Sequence, residues 1–275
     1  MHVHVKFEFY SKNKDIERVH LKFCKLLLKV KSSTSNMAIY GELGRYPLYI
    51  NRFVRIIKYW SKIHSSENLI VIKLYQSMLV DCNNGAINWA SRVKSLLDMF
   101  GFSYVWHDPT SVDCLNFHNV FKRRAVEVFY QSWSNTISIS PSLRLYCYYK
   151  KTIVYENYLD FVPKKYRISL SQLRLSSHAL RIETGRYGNQ RIDRHLRTCQ
   201  LCNSTDIEDE YHCIIICPLY DSIRKKFIKS YYFVRPSVFK FTQLMQSGNK
   251  SEILNIAKFV FHAFSIRKQT IVLET

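Results

Sequence analysis

Glycine and proline are scarce in this chain, 7 and 6 of 275 residues, and this excludes the flexible or proline-rich linkers that would divide it cleanly. No run of about 18 or more apolar residues occurs, so no segment is expected to cross a bilayer as a helix. No charged stretch followed by an apolar one opens the sequence, and four of the 8 cysteines stand singly at 24, 82, 114 and 147. A secreted disulfide framework is therefore not expected, and a reducing intracellular setting, nuclear or cytoplasmic, is. Acidic residues are also few: 21 Asp and Glu face 41 Lys and Arg, a formal charge of +20. That excess favours a polyanionic partner, RNA or DNA ahead of a membrane surface. With 47% hydrophobic and 15% aromatic residues, the chain is too apolar to be disordered.

Familiar catalytic signatures are missing as well. There is no Asp-Asp pair, no phosphate-binding glycine loop, no Gly-x-Ser-x-Gly elbow and no His-Glu-x-x-His, and each of these chemistries needs its residues at that spacing. No small-molecule substrate is expected. The acidic cluster Glu208-Asp209-Glu210 reads as loop surface or as counter-charge to nearby arginines. A Cys-His hydrolase with His178 or His20 as base has no nucleophile singled out for it.

What is present is a Cys-x2-Cys-x9-His-x4-Cys pattern made by Cys199, Cys202, His212 and Cys217. Three thiolates and one imidazole form a ligand set that closes a tetrahedral structural zinc site. The polar, acidic stretch 203–210 between the second and third ligands reads as an exposed loop. His212 and Cys217 lie five apart, so the chain must turn between them. Pro218 then places Cys217 just ahead of a helix through Leu219, Tyr220, Ile223 and Phe227, and a helix N-terminus favours a thiolate. Cys213 and His195 are nearby but fit the spacing less well.

Elsewhere the periodicity is helical. Asp15 to Val30 places Ile16, Val19, Phe23, Leu26, Leu27 and Val30 on one face, which predicts a buried stripe. Pro47 opens a helix with Ile50, Phe53, Val54, Ile57 and Trp60. A third helix covers about Leu69 to Leu79. A fourth carries Ile87, Ala90, Val93, Leu96, Leu97 and Phe100, with Gly101 as a left-handed cap. Leu115 to Trp133 continues the pattern, its Lys122, Arg123 and Arg124 forming a solvated patch. Leu143 to Tyr149 is aromatic-rich, either a short strand, a stacking surface or a core edge. Tyr155 to Val162 and Leu170 to Leu180 read as two short helices, separated by Pro163 and the run Lys164-Lys165-Tyr166-Arg167. Ile253, Ile256, Ala257, Val260, Phe261 and Phe264 define a C-terminal helix.

Basic residues accumulate ahead of the metal pattern. Arg174, Arg181, Arg186, Arg191, Arg194 and Arg197, preceded by Lys164, Lys165 and Arg167, have only Glu183 and Asp193 close in sequence. Guanidinium groups fork onto phosphates and stack on bases, so this stretch is the sequence's candidate nucleic-acid surface.

Several segments carry a family resemblance. Ile16-Glu17-Arg18-Val19-His20-Leu21-Lys22-Phe23-Cys24-Lys25, Ile39-Tyr40-Gly41-Glu42-Leu43-Gly44-Arg45-Tyr46-Pro47-Leu48, Arg174-Leu175-Ser176-Ser177-His178 and Ile182-Glu183-Thr184-Gly185-Arg186-Tyr187 resemble the region downstream of the palm in reverse transcriptases of LINE-type, non-LTR retrotransposons. Glu208-Asp209-Glu210-Tyr211-His212 and Cys217-Pro218-Leu219-Tyr220 resemble the C-terminal Cys-Cys-His-Cys element of the same proteins. The resemblance spans about Asp15 to Arg224. It implies a mostly α chain: a helical thumb/connector-like bundle over 1–150, a basic linker region over 151–197, a zinc-binding element over 198–230 and a C-terminal helical tail over 231–275. It further implies structural zinc and binding of RNA or DNA. The palm and its aromatic-x-Asp-Asp motif are absent, so no polymerase activity is expected of this chain alone. Two other readings are a zinc-stabilised protein-interaction module and a non-catalytic partner of a separate palm-containing chain.

Overall fold

The computed structural model describes residues 14–187, 191–202 and 204–274. Its helices are α1 (Lys14–Leu28), α2 (Asn36–Leu43), α3 (Leu48–His64), α4 (Leu69–Asn83), α5 (Trp89–Met99), α6 (Ser103–His107), α7 (Cys114–Ile139), α8 (Tyr146–Tyr149), α9 (Tyr158–Phe161), α10 (Lys164–Arg174), α11 (Arg181–Thr184), α12 (Asp221–Phe227), α13 (Ser230–Phe233), α14 (Val238–Met245) and α15 (Lys250–Glu274). Among the described residues there is no strand, only an isolated antiparallel bridge between Thr198 and Ile207. The mostly helical class read from periodicity, with a Cys-Cys-His-Cys group ahead of a C-terminal helix, is the observed one.

Two compact units divide the chain, one built from Tyr46–Trp133 with the first residues of α1, the other from Val19–Arg45 and Ser134–Thr275. The grouping is not the linear one drawn at 150, 197 and 230. Residues 19–45 belong with the C-terminal half, and the stretches 151–197, 198–230 and 231–275 form one unit.

In the first unit, α3 places Ile50, Phe53, Ile57 and Trp60 in the core, at the three-four spacing expected after Pro47. Phe100 meets Phe53 and Phe121 at 6.1 and 5.1 Å between ring centroids, and Phe102 meets Phe117 at 5.2 Å. The buried indole N–H of Trp60 donates to the Tyr75 hydroxyl at 2.8 Å, which satisfies a polar atom that burial would otherwise penalise. Gly101, at φ +81°, ends α5 in the left-handed conformation expected of it.

In the second unit, α10 packs along α15 and α12 packs on α15. Helix α10 begins directly after Pro163, so Lys164 to Arg167 form its first turn, and the helix stops at Arg174 instead of running to Leu180. Ser176, at φ +51°, turns the chain there. Of the aromatic stretch 143–149, Tyr146 and Tyr149 are buried in α8, while Tyr148 is exposed. The stretch is therefore a core edge and not a strand. Gly44 has φ +59°, and a Cβ there would lie 2.2 Å from the backbone nitrogen of Tyr155. Only glycine meets both demands.

One expectation is reversed. Ile16, Val19, Phe23, Leu26 and Leu27 on α1 are 55% to 65% exposed, and the helix instead buries Leu21, Cys24 and Leu28. Both sets have helical spacing, so periodicity could not choose between them. Docking chose, because the turn after α1 is tied to the second unit: the Lys31 backbone N–H donates to Ser177 Oγ at 2.8 Å, and Gln172 Nε2 to the Lys29 carbonyl at 2.9 Å.

Candidate metal centre

The centre is assembled by two short pieces of backbone. The Cys199 N–H donates to the Asp206 carbonyl and the Glu208 N–H to that of Arg197, both at 2.9 Å. These bonds flank the Thr198–Ile207 bridge and close a loop that presents Cys199 and Cys202. Asp209 Oδ1 then accepts the His212 N–H at 2.9 Å, capping a single π-helical turn, His212–Ile216. In an α-helix, residues five apart point about 140° away from each other. Here the Cys217 N–H reaches back to the His212 carbonyl at 2.8 Å, and this wider turn brings the two ligands round to one side. Pro218 opens a 3₁₀ turn that runs into α12, as its position after Cys217 suggests.

Arg224, fully buried, braces this wide turn through its carbonyls. Its Nε donates to the Ile214 carbonyl at 2.8 Å, Nη2 to the Cys217 carbonyl at 2.6 Å and Nη1 to Asp221 Oδ1 at 2.8 Å. Sequence reasoning missed this residue because two of its three partners are backbone carbonyls. Arg224→Ala is expected to cost about 1–3 kcal/mol through loss of its bond to the buried Ile214 carbonyl. Metal retention should weaken by about tenfold or more, as when other groups that orient ligands are removed. Competition with a chromogenic chelator checks this, and unchanged retention would refute the role given to Arg224.

The ligand atoms of Cys199, Cys202, His212 and Cys217 all lie within 4.8 Å of one another. Metal–sulfur bonds of about 2.3 Å set tetrahedron edges of roughly 3.8 Å, so the group could hold a metal ion after a small contraction. His212 Nε2 faces Cys202 Sγ at 3.4 Å. The buried Nδ1 lacks a hydrogen-bond partner, with Asp206 Oδ2 at 3.7 Å, so it is Nε2 that is turned toward the cysteines. Crowding makes the first thiol proton easy to lose. Cys199 is pulled down to about 3, first by a hydrogen bond from Cys217 and in spite of burial. Cys217 is pushed up by that same bond, and Cys202 by burial. Cys213 is buried away from the group, its thiol raised by burial, and His195 is exposed. Neither joins the quartet.

The acidic trio is not the exposed loop its composition suggested. Glu208, Asp209 and Glu210 are 2%, 7% and 8% exposed. Glu208 takes a bidentate pair from Arg267 of α15 at 2.7 and 2.9 Å and the backbone N–H of Arg181 at 2.7 Å. Asp209 also pairs with Arg144 at 3.1 Å. Glu210 accepts from His178 Nε2 at 2.9 Å and from Ser176. Burial acts to raise its carboxyl, but the His178 bond and charge outweigh burial and hold it below the usual range. The trio is the bolt between the metal loop and the rest of its unit, and it occupies the side chain of His178.

The basic candidates separate into two groups. Lys164, Lys165, Arg191 and Arg194 are exposed. Arg167 is half-buried and donates to the Leu159 carbonyl at 2.5 Å, and Arg181 is half-buried beside Glu208. Arg186 is held by Glu183 at 2.7 Å and the Pro141 carbonyl at 2.8 Å. Arg174 and Arg197 must be removed from a contact surface, since both guanidinium groups are buried. Arg174 pairs with Glu42 at 2.5 Å and Glu156 at 3.1 Å. Arg197 donates to the carbonyls of Ile192, at 2.9 and 2.8 Å, and Ile182, at 3.0 Å. Counting nearby acids misjudged these residues, because one set of partners is remote in sequence and the other is backbone.

Compared with protein-family models, with curated proteins and with solved structures, the chain matches none.

Proposed function

We propose that this chain is a zinc-organised nucleic-acid-binding region of a LINE-type, non-LTR retrotransposon reverse transcriptase, without catalytic activity of its own. The convergence of Cys199, Cys202, His212 and Cys217 within 4.8 Å, in a chain of formal charge +20, carries the reading. Zinc suits three thiolates and one imidazole in a closed tetrahedron. When bound it supplies no reaction, only a fixed fold for the loop. The exposed Lys164, Lys165, Arg191 and Arg194 remain available to phosphates.

The test is affinity for a short structured RNA and a matching DNA duplex over a salt series, with zinc and after chelation. Contact with six to ten phosphates should cost a factor of about 10³–10⁵ between roughly 50 and 200 mM salt, and chelation should weaken binding further. Weak, salt-insensitive and chelator-insensitive binding would refute the proposal.

A second reading has its own observation. The exposed apolar side chains Ile16, Val19, Phe23, Leu26 and Leu27 of α1, and Leu69, Ile70, Leu74 and Val80 of α4, are the kind of surface that another protein covers. A protein-interaction module, or a non-catalytic chain acting with a separate palm, would use them. Polymerase activity appearing only on mixing with a palm-containing chain would favour the latter.

A further inference from the structure

Four rings form a continuous row in the second unit. Tyr166 of α10 meets Phe261 of α15 edge-on at 5.3 Å, Phe261 meets His262 at 5.3 Å, and His262 lies parallel to Phe227 of α12 at 5.6 Å and 5°. All four are half-buried, so each is anchored and still reaches solvent. Exposed lysines stand over both ends. Lys165 Nζ is 4.7 Å from the Tyr166 centroid and 5.9 Å from that of Phe261, and Lys226 Nζ is 5.5 Å from that of Phe227. Neither lysine has a carboxylate partner among the described contacts. Helix α10 contains no acidic residue, and α15 contains none from 253 to 273, a stretch that holds Lys258 and Lys268; its Arg267 is paired with Glu208, and Asp221 of α12 is taken up by Arg224 and Lys225. An aromatic row at a helix seam is ordinarily core. This one is set apart by its half-open rings and by the two lysines, Lys165 and Lys226, that stand over its ends without a carboxylate partner among the described contacts.

We propose that this α10–α15–α12 face is a stacking platform for single-stranded nucleic acid, bases lying on the rings and phosphates beside the lysines. The proposal rests on the nucleic-acid reading above and moves the contact surface away from the arginine-rich segment. Stacking tolerates any base because every base has a π-face, and an aromatic row edged with lysine is how sequence-tolerant single-strand binding is built. Charge selects the partner class, and the rings select strands with unpaired bases over duplex.

The experiment is fluorescence anisotropy of the full zinc-loaded chain with a labelled oligothymidylate of about 12 nucleotides and an abasic strand of equal length. Lys165→Glu with Lys226→Glu should weaken both strands. Tyr166→Leu with Phe227→Leu, which keeps apolar volume, should weaken oligothymidylate by about tenfold or more and leave the abasic strand nearly unchanged. Helical circular dichroism confirms folding, and if the leucine pair fails to fold, the exposed lysine pair and the comparison of the two strands decide. Equal affinity of the wild type for both strands, or oligothymidylate binding that survives the lysine or leucine pair, would overturn the platform. Loss of binding only on Arg191→Glu with Arg194→Glu would also overturn it while sparing the broader reading. Failure of the wild type to bind any RNA or DNA would overturn both.

Discussion

Cys199→Ser is expected to abolish stoichiometric zinc binding and to melt the loop between Thr198 and Glu208, leaving α10 and α15 in place. Structural zinc contributes an apparent ~10–16 kcal/mol in small zinc units near neutral pH, as much as the whole net stability of a typical domain, roughly 5–15 kcal/mol. The loop's far end is bolted to the unit through Glu208, which Arg267 and Arg181 hold, but the stretch between is lightly held. Its backbone closure rests on two hydrogen bonds around one isolated bridge, and its sequence from Asn203 to Asp206 is polar. The segment after it is better supported, since Ile214, Ile215, Tyr220 and Arg224 are buried in the unit's own core. Local melting is therefore the expected scope. Zinc per chain, read by elemental mass spectrometry, should fall from one to near zero, and the amides of Cys199 and Glu208 should lose hydrogen-exchange protection. His212→Ala should act in the same way. Full zinc occupancy in either variant would mean that the ligand assignment is wrong.

The second large effect belongs to Arg174, which we expect to act on stability and not on nucleic-acid affinity. Glu42 is wholly buried. Its Oε1 accepts from Arg174 Nε at 2.5 Å and from the Tyr158 hydroxyl at 2.8 Å, and its Oε2 from Tyr146 at 3.2 Å. Arg174 also donates to the Met245 carbonyl at 3.1 Å and pairs with Glu156, which in turn pairs with Lys150. The guanidinium lies 4.9 and 5.4 Å from the ring centroids of Tyr149 and Tyr158. Burial works against its charge, yet Glu42 and Glu156 hold its pKa above the ordinary arginine value.

Arg174→Met would leave the buried Glu42 carboxylate with two tyrosine hydroxyls and no cation, and breaking such a pair costs about 3–5 kcal/mol. Glu42→Gln combined with Arg174→Met should recover part of that loss, because a buried ion pair replaced as a whole is often nearly neutral. Urea denaturation of the full chain measures both. A single variant within about 1 kcal/mol of the wild type would show the network to be inconsequential. Unchanged oligonucleotide affinity in the folded variant is the companion result that separates Arg174 from the exposed basic residues.

The difference between Arg174 and Arg191 shows where sequence reading stops. Both stand in one basic stretch with no distinguishing neighbours. Glu42, 132 positions away from Arg174, makes one a buried hub, while Arg191 stays in solvent. In α1, likewise, two residue sets have helical spacing and the larger apolar one is left outside. The π-turn that unites His212 with Cys217 is braced by Arg224, which donates to the carbonyls of Ile214 and Cys217, a role that no spacing rule assigns.

The positions of most of the longer helices, the start after Pro47, the cap at Gly101 and the grouping of Cys199, Cys202, His212 and Cys217 were readable in the linear chain. Each depends on backbone preferences and side-chain chemistry acting across a few to some twenty positions. Which helical face is covered, which arginines remain free and how the acidic trio is used were settled by packing. Those outcomes turn on desolvation and on polar partners brought together from distant parts of the chain, and local pattern carries no information about either.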